Sequence, residues 1–328
     1  MLTTRLASIA DVPAVQALCQ MQTVRFHRAD PRLPDQVILS SWWILPQDGA
    51  CWLARADGAL LGVVIAEAEH WTADSPYASV FPRRYLRLQL ALADQADPAA
   101  ILPLLLARAA PDQLMRATGA PSSRPGLMVM TPACDAALSA VLTAEGFTPY
   151  HTIAHQPLPE ALPTPPPVPA RVRPAEWSDT NAVADLMVES WQFHALHQPA
   201  IELSPLIREG CRCQASQLLG DGYNQLLLVA EHGDEIIGFF AIGLSSQDPL
   251  TRPALFLRGQ YGDIYEVGVR GDWRGRGIGT TLYHAAWRWF TDRGVGAMFV
   301  NYAPTNPLSS RFWPGLGFVD AWINWWRP

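Results

Sequence analysis

Asp263-Ile-Tyr-Glu-Val-Gly-Val-Arg-Gly-Asp-Trp-Arg-Gly-Arg-Gly-Ile-Gly279 runs directly into Thr-Thr-Leu-Tyr-His-Ala-Ala-Trp-Arg-Trp-Phe-Thr-Asp-Arg-Gly294. Residues 263–269 are β-type and predict a strand. The second stretch puts Leu282, Ala285, Ala286 and Trp289 on one helical face, with Gly294 as its stop. Strand, glycine loop, helix is an anion-binding layout. Gly275, Gly277 and Gly279 carry no Cβ to hold a phosphate away from the backbone N–H groups, and the helix dipole adds positive potential at the same place. Arg274 and Arg276 add side-chain charge. Two other glycine loops are excluded. A dinucleotide fingerprint needs glycine where this chain has Thr280, and an acidic residue where it has Ala297-Met-Phe-Val300. A phosphate loop of the Walker type needs a lysine, and the chain has none.

The lack of lysine makes all 24 basic residues arginine and rules out a lysine nucleophile or Schiff base. With 49% hydrophobic and 16% charged residues, the 328-residue chain is globular and long enough for two domains. The net charge of -6 argues against a nucleic-acid partner. Five scattered cysteines fit reduced thiols in a cytoplasmic protein, and no stretch is apolar enough to predict a signal peptide or membrane span. His194-x-x-His197 and Cys211-x-Cys213 suggest zinc, but one residue between the cysteines is tighter than usual zinc spacing, so no metal is expected.

Outward from the loop, the chain repeats itself. A segment with eight prolines, 157–174, separates two halves. Asp11, Val15 and Leu18 match Asp179, Val183 and Leu186, each Asp placed to cap a helix. Phe26-His27 matches Phe193-His194, and the two histidines are expected to cap or line the cleft. The hairpin signals 52–66 and 228–242 match, and each half closes on Gly-Phe, at Phe147 and Phe318. The expected division is 1–157, a linker over 158–170, and 171–328. Where the second half has its glycine loop, the first has Leu88-Gln-Leu-Ala-Leu-Ala-Asp-Gln-Ala-Asp-Pro98, with no glycine and with aspartates that repel a pyrophosphate.

Arg274, Gly277 and Gly279 spell R-x-x-G-x-G. Downstream stand Asn301 and Asn306, then Phe312-Trp313 and Leu316-Gly-Phe318. On these residues the second half resembles the GNAT superfamily of N-acetyltransferases, and the repeat extends the likeness in outline to the first half. The resemblance implies an α/β (α+β) protein of two tandem GNAT domains, each a mixed, largely antiparallel central sheet flanked by helices, the first degenerate. It implies acetyl-CoA as co-substrate, held by Val267, Val269, Arg274, Gly275, Arg276, Gly277, Ile278, Gly279, Thr280 and Asn306. It also implies direct attack of an amine on the thioester, with the backbone N–H groups of Val267 and Val269 facing the oxyanion. Asp263 and Glu266, on the strand entering the loop, are the candidate bases. The tyrosine that many members use to protonate the departing thiolate is Trp313 here, leaving Tyr265, Tyr302 or water as the acid. The expected acceptor is a small-molecule amine, with a peptide or protein N-terminus as the second reading. A non-catalytic acyl-CoA-binding module is the third, and the chain is expected to act as a monomer or homodimer. The thirteen tryptophans, with Trp322, Trp325 and Trp326 at the C-terminus, read as strand and core residues.

Overall fold

The computed structural model describes residues 1–37, 44–46, 49–70, 84–109, 126–162, 164–165, 167–198, 200–220, 224–248 and 254–328, so Pro163 and Pro166 of the linker lie outside the described residues. The first half runs β1 (Leu2–Leu6), α1 (Val12–Ala29), β2 (Gly49–Ala56), β3 (Ala59–His70), β4 (Arg84–Leu92), α2 (Pro98–Arg108), β5 (Gly126–Pro132), α3 (Ala136–Ala144) and β6 (Thr148–Pro157). Among the described residues the second half repeats the order with one more helix. It runs β7 (Arg171–Pro174), α4 (Thr180–Ala195), α5 (Ile207–Gly220), β8 (Gln225–His232), β9 (Glu235–Gln247), β10 (Gly259–Val269), α6 (Ile278–Thr291), β11 (Ala297–Tyr302), α7 (Ser309–Gly315) and β12 (Val319–Arg327).

These strands form one 12-stranded sheet in the order β1-β2-β3-β4-β5-β12-β6-β11-β10-β9-β8-β7. Its parallel pairs are β4 with β5 and β10 with β11; the rest are antiparallel, which is the mixed, largely antiparallel pattern the resemblance implies for each half, here joined into one sheet. The order is symmetric about its middle. Each half lends its last strand to the other: β12 pairs with β5, β6 pairs with β11, and the two exchanged strands pair with each other from Val319↔His155 to Trp326↔Thr148. The cores follow the exchange. Trp325 of β12 is buried with α2 and α3 of the first half and donates from Nε1 to Thr131 at 2.8 Å. Ala154 of β6 is buried with α6 and α7 of the second.

Two local expectations change. Asp11 and Asp179 sit at the helix starts, yet neither side chain caps its helix. Each closes the 3-10 turn before it, accepting from Ser8 N or Glu176 N, and holds an arginine, Arg5 or Arg173. A buried carboxylate binds a guanidinium more strongly than one backbone N–H. The proline-rich segment is no free strap: Leu158, Leu162, Val168 and Ala170 pack on the second core, and Trp287 Nε1 donates to the Pro159 carbonyl at 2.9 Å.

Candidate active site

Beyond Ile264↔Val300 the pairing between β10 and β11 stops, and the strands part into a wedge. Tyr265 forms a bulge against β9 at the same point, which kinks β10 away from its parallel neighbour. The wedge opens a cleft of about 520 Å³ that runs from the glycine loop to the end of α4. Of the predicted site residues, Glu266, Val267, Val269, Arg274, Gly275, Gly277, Ile278, Gly279, Thr280 and Asn306 line it; Asp263 and Arg276 do not.

The loop has the backbone an anion needs. Gly275 and Gly277 have φ of 73° and 84°, in the left-handed region that only glycine enters cheaply. Gly277 is the N-cap of α6, whose first turn carries no acidic residue, so its leading N–H groups face the cleft mouth without a carboxylate competing for them. Gly279 serves packing instead: a Cβ there meets the Phe312 ring at 3.3 Å. In the first half the matching helix α2 begins on Pro98, which has no N–H, and Asp97 accepts from Ala99 N at 3.0 Å. A carboxylate thus occupies the place where a phosphate would bind.

The two loop arginines differ. Arg274 is engaged within the protein, donating from Nε to the Val269 carbonyl at 3.0 Å, pairing with Glu189 at 3.1 Å and stacking on Phe193. It ties the loop to α4 and adds little net charge. Arg276 is exposed and lies over the Trp273 ring at 5.0 Å, beside the cleft rather than in it.

On β10, the Val267 carbonyl accepts from Ser190 Oγ at 3.5 Å and the Val269 carbonyl from Arg274 Nε. Both groups therefore leave the edge of β10 away from β9. A strand residue sends its N–H and C=O to the same edge, so the N–H groups of Val267 and Val269 face the wedge.

Asp263 lies where β10 is still paired on both sides, opposite Gly243 and Phe299, one residue before the strands part. Glu266 comes just after the bulge and reaches the cleft. Its Oε2 accepts from Gln214 Nε2 at 2.9 Å, and Oε1 has no hydrogen-bond partner among the described residues. Desolvation pushes Glu266 up to about 8, against the opposing pull of hydrogen bonds from Gln214 and Trp191; desolvation alone pushes Asp263 up to about 7.

Trp191, Phe193 and His194 of α4 and His151 of β6 also line the cleft. His151 comes from the first half and reaches the second half's cleft only through the strand exchange. The sequence reading missed it, although the matched Gly-Phe ends, each followed by an apolar stretch of similar length, are a signal for symmetric pairing of the last strands. Burial pushes His151 down to about 3 and His194 to about 4, so both are neutral at pH 7. His27, the repeat partner of His194, caps its own loop through the Leu33 carbonyl at 2.9 Å. Tyr302, one candidate acid, donates its hydroxyl to Asp320 at 2.9 Å. Cys211 packs in the core between α4 and α5, its thiol pushed up to about 12 by burial. Among the described residues no three His, Cys, Asp or Glu side chains group as metal ligands, and no helix is long and apolar enough to cross a membrane.

Strand, glycine loop and helix on one wall, with a wedge between two parallel strands, form a cleft suited to a ligand with a phosphate at one end. Residues 182–318 match the family model described as Acetyltransferase (GNAT) family. Residues 182–318 are therefore similar to the GNAT acetyltransferases, whose members transfer acetyl from acetyl-CoA. Over its whole length the fold is similar to a GCN5-related N-acetyltransferase from Sphaerobacter thermophilus, at 16% identity and TM-score 0.63, covering 99% of this chain and 95% of that one. It is also similar to a tandem GNAT protein from the clavulanic acid biosynthesis pathway, at 16% identity and TM-score 0.50, covering 100% of this chain and 98% of that one. No curated protein matches the sequence.

Proposed function

We propose that this protein acetylates the primary amine of a small molecule by direct attack on the thioester of acetyl-CoA. In this reading residues 171–328 carry the reaction, residues 1–157 form a degenerate unit that lends β6 to the cleft wall, and 158–170 link the two. The observation that carries it is one continuous cleft joining the α6 N-terminus to Glu266. Gly275, Gly277 and the first N–H groups of α6 hold the pyrophosphate, with Arg276 at the rim. The amine nitrogen bonds to the acetyl carbon while Glu266 takes its proton. The N–H groups of Val267 and Val269 face the oxyanion, and the C–S bond breaks with its electron pair going to sulfur. Asp263, one residue before the wedge opens, does not meet the amine in this reading. A cleft of about 520 Å³ with Trp191, Phe193 and His151 in its lining supports a small acceptor over a peptide.

The test is thiol release from acetyl-CoA against a panel of primary alkyl and aryl amines, beside calorimetry of coenzyme A binding. One coenzyme A per chain and thiol release with a small amine are expected. Two equivalent sites would show that the first half also binds; binding without release to any amine, peptides included, would make the protein an acyl-CoA sensor.

A further inference from the structure

No hydroxyl on the α7 wall of the cleft is placed to meet a departing thiolate. Trp313 is an indole packed against Phe240, Phe312 and Phe318. Tyr302 donates to Asp320, and Ser309 Oγ donates to the Ala303 carbonyl at 2.9 Å. Tyr265 turns its hydroxyl over Gly243, beside the Asn224 carbonyl. A ring nitrogen remains in the cleft lining. His194 lines the cleft at the end of α4, and its Nδ1 lies 3.3 Å from Asn306 Nδ2.

The hydrogen bonds around Asn306 fix where the proton of that ring sits. Asn306 Oδ1 accepts from Leu308 N at 3.0 Å, so the atom facing the histidine is the amide nitrogen, which can only donate. His194 Nδ1 must therefore be the acceptor, and the ring proton is on Nε2. Among the described residues no hydrogen bond engages Nε2. Burial keeps the ring neutral, and the neighbouring His197 acts in the same direction, since it disfavours a second positive charge. The ionisable groups facing it are His197, His151, Glu266, and Arg274, which is paired with Glu189. The backbone that carries the ring is tied to the exchanged strand: Gln198 N donates to the His194 carbonyl at 3.0 Å, and Gln198 Nε2 to the Tyr150 carbonyl at 2.6 Å.

We propose that His194, a neutral imidazole whose proton Asn306 fixes on Nε2, donates the hydrogen bond that stabilises the departing thiolate of coenzyme A, in the role a tyrosine hydroxyl fills elsewhere. The inference rests on the acetyl-CoA reading of the cleft. The proton balance follows from the weakness of a neutral imidazole as an acid. The C–S bond breaks with its electron pair on sulfur, and the amine proton goes to Glu266. His194 keeps its own proton while sharing it with the thiolate. The thiolate is protonated from solvent on release, so that amine and thioester become amide and thiol. Asn306 is then a positioning residue: it holds the tautomer rather than the coenzyme.

The experiment needs no acceptor. The thiol of coenzyme A bound to the full chain is titrated through the ultraviolet absorbance of the thiolate, in the wild type, His194→Phe and His194→Gln, with calorimetric coenzyme A binding as the check that each variant is folded. His194→Phe keeps a ring without a donor and should raise the ionisation pH of the bound thiol, lowering its ionisation constant about tenfold, whereas His194→Gln retains an N–H donor and should restore part of the effect. In parallel, ¹⁵N NMR of the His194 ring should show a protonated Nε2 in the wild type, and Asn306→Asp, which can only accept, should move the proton to Nδ1. Coenzyme A bound normally by His194→Phe with an unchanged thiol titration would overturn the proposal, as would an Nδ1-protonated ring in the wild type. Absence of coenzyme A binding to the wild type would instead overturn the reading on which it rests, and the proposal with it.

Discussion

Replacing Glu266 by Gln tests the candidate base through both stability and rate. In the folded protein the carboxyl titrates near about 8, against an ordinary 4.5, because the cleft and α5 desolvate it. The folded state therefore binds more protons than the unfolded state between about pH 4.5 and about pH 8. Stability from this site is fully present below the lower limit and is lost as pH rises through the upper. Each pH unit corresponds to ~1.4 kcal/mol, but the side chain is partly open to the cleft and solvent screens it, so ~1–2 kcal/mol in total is expected. Glu266→Gln should match the wild type near about pH 4.5 and exceed it by a few °C in Tm at about pH 9. A shallower slope should persist in the variant from Asp263, pushed up to about 7, and disappear in the double variant with Asp263→Asn. The rate gives the complementary sign. With an acceptor amine that is already free base near neutrality, wild-type turnover should rise about tenfold from about pH 7 to its plateau, as Glu266 passes from about one-tenth to fully ionised. Glu266→Gln should be about 10²-fold slower with that inflection gone. Thermal unfolding and thiol release measured across pH decide it. Equal Tm values for variant and wild type at about pH 9, or an unchanged inflection in the variant, would refute the assignment, and a large loss confined to Asp263→Asn would move the base back along β10.

Gly277→Val should abolish coenzyme A binding by calorimetry, because a side chain at φ 84° is strained by roughly 1–2 kcal/mol and its bulk fills the space a phosphate approaches. Circular dichroism should show the fold retained. Tyr302→Phe should leave turnover within about threefold, since the hydroxyl already donates to Asp320, while lowering Tm slightly through the lost hydrogen bond to this half-buried carboxylate; a loss of 10²-fold would make Tyr302 the acid after all. Residues 1–157 and 158–328 made as separate chains should each be insoluble and should recover a folded complex when co-expressed, because each lacks the strand that completes its sheet. A monomeric, well-folded 158–328 by size exclusion and NMR would show that β12 can fold back onto its own half.

The sequence by itself determined what depends on neighbouring residues. The strand, glycine loop and helix at 263–294 are legible because positive φ at Gly275 and Gly277 is a local demand that only glycine meets cheaply, and because apolar periodicity marks the strand and the helix face. The repeat is legible because matched elements need matched residues at Asp11 and Asp179 or at Gly62 and Gly238, where a Cβ would meet Leu92 at 2.8 Å in one half and Gly268 O at 3.2 Å in the other. What only the tertiary structure decided are the pairings between residues far apart in the chain. Propensity makes 148–157 and 319–327 strands in either half, but which neighbour each takes is a matter of competing long-range registers that no local pattern encodes. The same holds for the base. Asp263 and Glu266 are carboxylates on one strand with similar sequence surroundings. The end of β11 pairing after Ile264 and the bulge at Tyr265 put Glu266 in the cleft and leave Asp263 behind it. His151 and His194 stand 43 positions apart. Exchange of the last strands brings the two imidazoles to one wall, and Asn306, from a third segment, fixes the proton of one of them.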